Sequence, residues 1–285
     1  MSFQFLQPGS LSEARELIAQ YGDDAKVIAG GAALVLMLEQ KLIAPRVLVS
    51  LSKVPELKYE RESSGEYELG AMASLSDLVK SDRLKGRYPG LHNACKQVGN
   101  VRVRNQATLG GNLAEADYAS DPPAMLLALD TVVHAVGPGG WRSIPLAEFF
   151  LGFYTTALEP DELLTGITIP PLPEGARSTY LKYKSRSSED RPCVGVAAIA
   201  VFDGDLCRDL RVAVGAACEV PQRIDSLESM AMGAQLSDEL IDEIAGGYAA
   251  NIDTLEDLRG SAWYRKEMIR VFVRRALKEV RDGDR

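Results

Sequence analysis

The sequence is poor in the residues that most often hold metals, with two histidines and four cysteines among 285 positions. Cys95, Cys193, Cys207 and Cys218 are scattered without CxxC spacing, so no iron–sulfur or zinc ligand set is signalled and buried, reduced thiols are expected. His92 and His134 have no partner at i+4 and no HExxH neighbour, which argues against a metalloenzyme and for structural or surface roles. Positive charge is also short: 32 Lys and Arg stand against 40 Asp and Glu, a net charge of -8. That balance lacks the basic footprint of a protein that binds nucleic acid or an anionic membrane surface. No apolar run approaches the roughly 20 residues of a bilayer span, and the opening MSFQFLQPGS lacks a basic and apolar leader pattern. Membrane insertion is therefore not expected, and a cytoplasmic location is. What is present is an ordinary globular composition, long enough for about two domains with cores that need no staple.

Ser10 and Glu13 have capping-box spacing ahead of LSEARELIAQY, and Gly22 follows as a stop, which predicts a first helix. Next come AKVIAGG, ALVLMLEQK and RVLVSL, a strand, helix and strand pattern that reads residues 25 to 51 as a βαβ unit. LKYERESSGEYELGA predicts a hairpin closed by its polar ESSGE turn, and Ser74 with Asp77 repeats the capping-box spacing before another helix. The proline-rich IPPLPEGA marks a boundary near residue 171. Beyond it, STYLKYKS, VGVAAIAVFDG and LRVAVGAA predict three strands, followed by helical patterns over 226–233, 237–249 and 261–279. In the last of these, Arg265, Arg270, Arg274 and Arg275 accompany Ile269, Val271, Phe272 and Leu277, the pattern of an amphipathic helix with a solvated basic side.

Two glycine pairs attract attention. Gly30 and Gly31 fall where the first strand of the βαβ unit turns into its helix, a place where a glycine pair either holds a phosphate or lets two backbones pack. The second pair lies in TLGGN, where Thr108, Gly110, Gly111 and Asn112 offer a hydroxyl, two positions without Cβ and an amide, groups suited to close approach of a pyrophosphate. The alternative is that Thr108 to Asn112 forms only a tight turn. Ser120 and Asp121 precede PPAMLLALD, so one of them is expected to cap that helix. In a chain this acidic, any phosphate must be held by backbone dipoles more than by lysines.

Read together, IAGGAAL and VRNQATLGGNLAEADYASDPPAMLLALD resemble the two flavin-binding loops of the FAD-binding subunit, or domain, of the molybdenum hydroxylases. PLAEFFLGFYTTALEPDELLTGITIP, YLKYKSRSSED and RGSAWYRKEMIRVFVRRAL extend the resemblance in family order over nearly the whole chain. It implies an α+β fold: a two-part FAD-binding domain of the PCMH-like type over 1–170, with subdomains of about 1–55 and 56–170. A smaller C-terminal domain, a three-stranded antiparallel sheet plus helices, would cover 171–285. The family pattern implies FAD contacts from Ala29, Gly30, Gly31, Ala32, Ala33 and Leu34, with the dipole of the following helix assisting at the pyrophosphate. It implies further contacts from Thr108, Gly110, Gly111, Asn112 and Ala114, from Ser120 and Asp121 near the ribityl and phosphate region, and from Leu163 and Leu164 beside the ring. Lys182 matches a lysine that approaches the ring, where a cation would stabilise negative charge on reduced flavin; read without the resemblance it is a solvated strand-edge lysine. No catalytic acid or base and no metal ligand is implied on this chain.

The same resemblance implies partners: a large molybdopterin-binding subunit, a small subunit with 2Fe-2S clusters, and an external electron acceptor. Two departures from the family pattern stand out. Ala32 and Ala33 replace the small hydroxyl residue that often follows the first glycine pair, removing one or two pyrophosphate hydrogen bonds. Arg191 and Pro192 follow Asp190 where an apolar or aromatic residue is common, with Tyr183 as a substitute cover for the flavin; strand alternation leaves open whether Lys182 or Tyr183 faces the ring. Two other functions stay open at this point: a free-standing NAD(P)H-oxidising flavoprotein, and a scaffold subunit that has lost FAD.

Overall fold

The structure, a computed structural model, describes residues 3–185, 187 and 190–283. Arg186, Ser188 and Glu189 of the YLKYKSRSSED block lie outside the described residues. In chain order the first part runs β1 (Gln4–Leu6), α1 (Leu11–Tyr21), β2 (Ala25–Ile28), α2 (Leu34–Glu39), β3 (Val47–Ser50), β4 (Glu60–Ser63) and β5 (Glu66–Gly70). Then come helices α3 (Leu75–Lys80), α4 (Asp82–Arg87), α5 (Pro89–Lys96), α6 (Val101–Gln106), α7 (Leu109–Glu115) and α8 (Pro122–Ala128). Strands β6 (Val132–Gly137) and β7 (Gly140–Pro145), helix α9 (Leu146–Phe149) and the short pair β8 (Phe150–Gly152) and β9 (Thr155–Thr156) lead to β10 (Leu163–Ile169). The chain closes with β11 (Arg177–Tyr183), β12 (Val194–Asp203), β13 (Leu206–Gly215), α10 (Asp225–Glu228), α11 (Asp238–Asn251) and α12 (Ala262–Asp282).

These elements form two compact units that interleave along the sequence. The first takes the chain up to Leu78 with Val101–Ala116 and Thr131–Pro170; the second takes Val79–Asn100, Asp117–Asp130 and the chain from Pro171 on.

In the first unit, β2 and β3 pair in parallel around α2, the expected βαβ unit, and β1 adds on the far side of β3. Helix α1 begins as its sequence dictates: the Ser10 hydroxyl accepts from the Glu13 N–H at 3.2 Å, while the Glu13 carboxylate reaches back to the Gly9 N–H at 2.7 Å. Its buried Ala14 and Ile18 join Leu51, Val54, Leu57, Val136 and Leu163 in one apolar cluster. The predicted hairpin is β4–β5, turned through Ser64 and Gly65, both left-handed, as a two-residue turn matching strand twist requires. It opens a five-stranded sheet in the order β4-β5-β10-β6-β7, whose pairings are all antiparallel.

In the second unit, the three expected strands form an antiparallel sheet in the order β11-β12-β13. Alternation in β12 sends Val194, Val196, Ala198 and Ala200 into a core with Ile241, Ile244, Ile269, Phe272, Val273 and Val280 of α11 and α12. On the other face Tyr180 of β11 and Gly195 of β12 lie against each other, and Gly215 of β13 lies against Ala124 of α8. With both faces covered, β12 reads as a nearly continuous apolar run. Helix α12 is amphipathic as predicted, but its basic side is paired instead of merely solvated. Arg274 bridges Asp242 at 2.8 Å, while Lys278 and Arg281 bridge Asp238 at 2.7 and 2.6 Å, all across to α11. All four cysteines are free and buried, and His92 and His134 bond within the structure, to Val79 O and to Ser143 and Thr168 respectively. Among the described residues no helix is long and apolar enough to cross a membrane.

Candidate cofactor site

In the first unit the two glycine segments meet. A Cβ built on Gly30 would lie 2.6 Å from the Gln106 carbonyl carbon and nearer still to its oxygen, so only glycine lets segment 28–34 pack on the end of α6. Gly110 is as constrained: a Cβ there would fall 2.5 Å from Ala71 Cβ and 2.7 Å from Ala71 Cα. The segment after α6 is tied down by Leu75 N–H to Ala107 O, Leu109 N–H to Ala73 O and Gly110 N–H to Ala71 O, each 2.9 Å. The question of phosphate binding or backbone packing thus has a specific answer. The missing side chains of Gly30 and Gly110 are replaced by protein backbone, and this packing shapes the surface that segment 28–34 presents.

That surface is polar. The N–H groups of Gly30, Gly31, Ala32, Ala33 and Leu34 donate to no protein acceptor among the described residues, although Val35 N–H already bonds Gly31 O. Residues 29 to 33 are half-buried and Leu34 is buried. Consecutive half-buried amides without acceptors form a concavity suited to an anion. The α2 helix that follows is only six residues long, so the amides, not an extended macrodipole as the sequence suggested, carry the positive field.

TLGGN is neither an open loop nor an isolated tight turn. Thr108 is the N-cap of α7, its hydroxyl accepting from the Gly111 N–H at 3.1 Å, and Gly110, Gly111, Asn112 and Ala114 are helical. Thr108 and Gly110 are buried, Gly111 and Asn112 half-buried, and Ala114 exposed. Leu163 and Leu164 are both buried in β10, but Leu163 belongs to the apolar cluster beneath α1, and alternation turns Leu164 to the opposite face.

In the second unit, Asp121 corrects the expectation of a helix cap. It occupies the position before α8 with helical backbone angles and makes no capping bond; Ser120 is half-buried beside it. The Asp121 carboxylate instead accepts from the Tyr180 hydroxyl at 2.8 Å and from Lys182 Nζ at 2.9 Å. Lys182 Nζ also donates to Gln97 O at 2.9 Å. The Lys182 side chain is 1% exposed, so it is no solvated edge lysine. Alternation along β11 settles the neighbouring residue too: Tyr183 lies on the other face, 5.3 Å from the Phe272 ring of α12 and bonded to the Tyr264 hydroxyl. Tyr183 and Lys182 therefore lie on opposite faces of β11. Burial pushes the Asp121 carboxyl up to about 6, against the opposing pull of Lys182 and Tyr180; burial raises the Tyr180 hydroxyl well above its ordinary value and Cys95 to about 12.

Sequence reasoning missed Tyr180, although the Tyr-x-Lys spacing on a strand places both side chains on one face. It also misplaced Arg265, which is fully buried. Its guanidinium donates to Cys193 O at 2.5 Å, to Ala216 O at 2.7 Å and to Asp257 Oδ1 at 2.5 Å. Asp257 in turn accepts from the Tyr118 hydroxyl and from Arg259, each at 2.9 Å through Oδ2. Tyr118, Asp257 and Arg259 form part of the wall of a cavity of about 480 Å³ in the second unit, which Asp190 and Arg191 also line. Arg191, the departure noted after Asp190, pairs with Asp117 at 3.0 Å. Nothing but a tight constellation of distant residues distinguishes Arg265 from the other arginines of its helix, so its burial was not legible.

The chain has clear relatives among known proteins. Residues 1–172 match the FAD binding domain in molybdopterin dehydrogenase, and residues 179–280 match the CO dehydrogenase flavoprotein C-terminal domain. The chain is 32% identical over 278 residues to the glyceraldehyde dehydrogenase medium chain of Sulfolobus acidocaldarius, covering 98% of each. It is 33% identical over 275 residues to the carbon monoxide dehydrogenase medium chain of Hydrogenophaga pseudoflava, covering 96% of each. A solved structure of the Hydrogenophaga pseudoflava carbon monoxide dehydrogenase that lacks the Mo-pyranopterin moiety superposes with a TM-score of 0.95 at 32% identity, over 98% of this chain and 97% of that one. The matches extend over both units. The chain belongs to the family that joins the FAD binding domain of molybdopterin dehydrogenases to the CO dehydrogenase flavoprotein C-terminal domain, and it is an FAD-dependent oxidoreductase subunit.

Proposed function

We propose that this chain is the medium subunit of a heteromeric molybdenum hydroxylase, and that it passes electrons from 2Fe-2S clusters on a small partner subunit to an external acceptor. A large molybdopterin-binding subunit would carry the substrate chemistry. The observation that carries this reading is the run of five successive backbone amides, Gly30 to Leu34, with no protein acceptor among the described residues. Such a run holds a diphosphate through backbone dipoles, in a chain whose net charge is -8. The relatives' names support the partners: the Sulfolobus and Hydrogenophaga proteins are medium chains, and a nicotine 6-hydroxylase medium subunit from Paenarthrobacter nicotinovorans is 31% identical over 98% of this chain.

In this scheme FAD supplies the exchange between paired and single electrons, and the chain supplies binding and electrostatics. Ala29, Gly30, Gly31, Ala32, Ala33 and Leu34 take the diphosphate on their backbone, with α7 and its residues Thr108, Gly110, Gly111, Asn112 and Ala114 beside them. Asp121, with Ser120 next to it, accepts hydroxyl protons of the ribityl chain. Lys182 offers a cation to negative charge on the ring. Leu164 offers an apolar surface, and Leu163 supports it from the core.

The test is purification of the chain expressed with the large and small subunits of its own source. A yellow complex with one FAD per medium chain, whose flavin is bleached by the substrate of the large subunit, is the expected result. A chain that neither carries nor takes up FAD overturns the proposal. A flavoprotein that oxidises NAD(P)H alone and never joins partners replaces it with the free-standing alternative.

A further inference from the structure

Tyr180 is an unexpected side chain to find in this place. It is fully buried, and its ring occupies space that exists because the neighbouring strand carries glycine: a Cβ on Gly195 would lie 3.2 Å from Tyr180 Cζ and closer still to the hydroxyl. The register pairs Gly195 with Lys182 and Ala197 with Tyr180, so the tyrosine leans along the sheet toward the lysine's partner. Its backbone is fixed as well, since Tyr180 O accepts from Asn93 Nδ2 at 3.0 Å and from Gln97 Nε2 at 3.4 Å. With its position set by both ends, the hydroxyl donates to Asp121 Oδ1 at 2.8 Å.

The consequence concerns the other carboxylate oxygen. With Oδ1 engaged by Tyr180, the Asp121 plane is locked and Oδ2 is directed at Lys182 Nζ, whose second hydrogen goes to Gln97 O. Two of the three ammonium hydrogens are thus assigned, and the orientation of the third is fixed by difference. The titratable and charged groups facing Asp121 are Tyr180 and Lys182 of β11, Lys184 just after it, and Cys95 of α5.

We propose that Tyr180 is a positioning residue of the flavin site, holding Asp121 as a carboxylate oriented onto Lys182 so that the buried pair stands beside the cofactor in one fixed geometry. The inference rests on the FAD reading above. It distinguishes Tyr180 from an ordinary core tyrosine, which would fill the same volume but would not govern how Asp121 titrates.

The experiment measures FAD affinity of the refolded apo-subunit by quenching of flavin fluorescence between pH 5 and 8, in wild type, Tyr180→Phe and Asp121→Asn. Wild type binds FAD above a midpoint set by Asp121, near the value of about 6 to which burial raises it, and loses affinity below. Tyr180→Phe keeps the ring volume but removes one hydrogen bond to the ionised carboxylate, so its midpoint moves up by about one pH unit. Asp121→Asn flattens the profile over the same range, which identifies the titrating group. Far-ultraviolet circular dichroism of each apo-variant checks that it is folded; if Tyr180→Phe is not, Gly195→Ala, whose Cβ would displace the same hydroxyl, takes its place with the same expected shift. A folded variant that has lost the Tyr180–Asp121 bond yet titrates like wild type overturns the proposal. Failure of wild type to bind FAD at any pH overturns the FAD reading instead, and the two outcomes are distinct.

Discussion

The Gln106 carbonyl lies where a side chain on residue 30 would have to begin, its carbon 2.6 Å from the position of a Cβ on Gly30. One close approach thereby joins the strand-to-helix turn of the βαβ unit to the end of α6, residues 76 positions apart. Gly30→Ala should consequently act on the protein before it acts on any ligand. Because the clash is with backbone, which cannot rotate away, the cost should reach about 3 kcal/mol or more, the upper range of overpacking effects. Thermal unfolding followed with FAD content should show both falling together; a Gly30→Ala protein as stable as wild type and fully loaded would contradict the packing described for this segment.

Ala32 invites a gain instead of a loss. Replacing it with serine adds a hydroxyl beside amides that already lack protein acceptors. An added hydrogen bond to a cofactor phosphate is worth about 0.5 to 1.5 kcal/mol, or two- to tenfold in affinity. Titration of apo-protein with FAD should therefore give a lower Kd for Ala32→Ser than for wild type.

Lys182→Met should lower the flavin midpoint potential, because removing a cation near the ring disfavours the more negative reduced state. A tenfold change in the ratio of oxidised to reduced affinities corresponds to about 30 mV for a two-electron couple. Spectroelectrochemical titration reads this directly. The same variant leaves Asp121 buried without its cation, so a loss of stability of about 3 to 5 kcal/mol is expected alongside.

Arg265→Met tests the buried guanidinium. It removes the partner of Asp257 and the donors to Cys193 O and Ala216 O at once, and breaking a buried ion pair from one side costs about 3 to 5 kcal/mol. Denaturant unfolding should show the loss. The double variant with Asp257→Asn should be less destabilised than the sum of the singles, since the two residues share one bond.

Asp121 gives a pH dependence whose sign is opposite to that of most salt-bridged acids. Its folded value, about 6, is above the ordinary aspartate value of 3.8, so between these values the folded state binds more protons than the unfolded one. Stability contributed by this group is present below the unfolded value and falls as pH rises toward 6. Asp121→Asn should remove that slope, making wild type gain stability relative to the variant as pH is lowered from 7 toward 4. Parallel denaturation curves at several pH values measure it.

Much of the fold was legible because its signals are local. Ser10 before LSEARELIAQY, the ESSGE turn and the alternation of STYLKYKS each depend on residues within a few positions, and each led to the element found. Asp121 and Arg265 were misread for the converse reason. Beside a Pro-Pro helix start an aspartate ordinarily caps, and on an amphipathic helix an arginine ordinarily faces water. Here partners 61 positions away, at Lys182, and at Cys193 and Ala216, offered better bonds than the local ones.

The sequence by itself determined a two-part chain of mixed α and β elements, with two glycine pairs at helix starts and a net charge of -8 that favours backbone dipoles over lysines for any phosphate. These follow from composition, periodicity and spacing, which the unfolded chain already carries. Tertiary structure alone decided what the glycines are for, which face of β11 carries the buried lysine, and which arginine is interior. Each of those depends on which distant backbone or side chain arrives at the same place, and hydrogen-bond partners and steric exclusion exist only once the segments have packed.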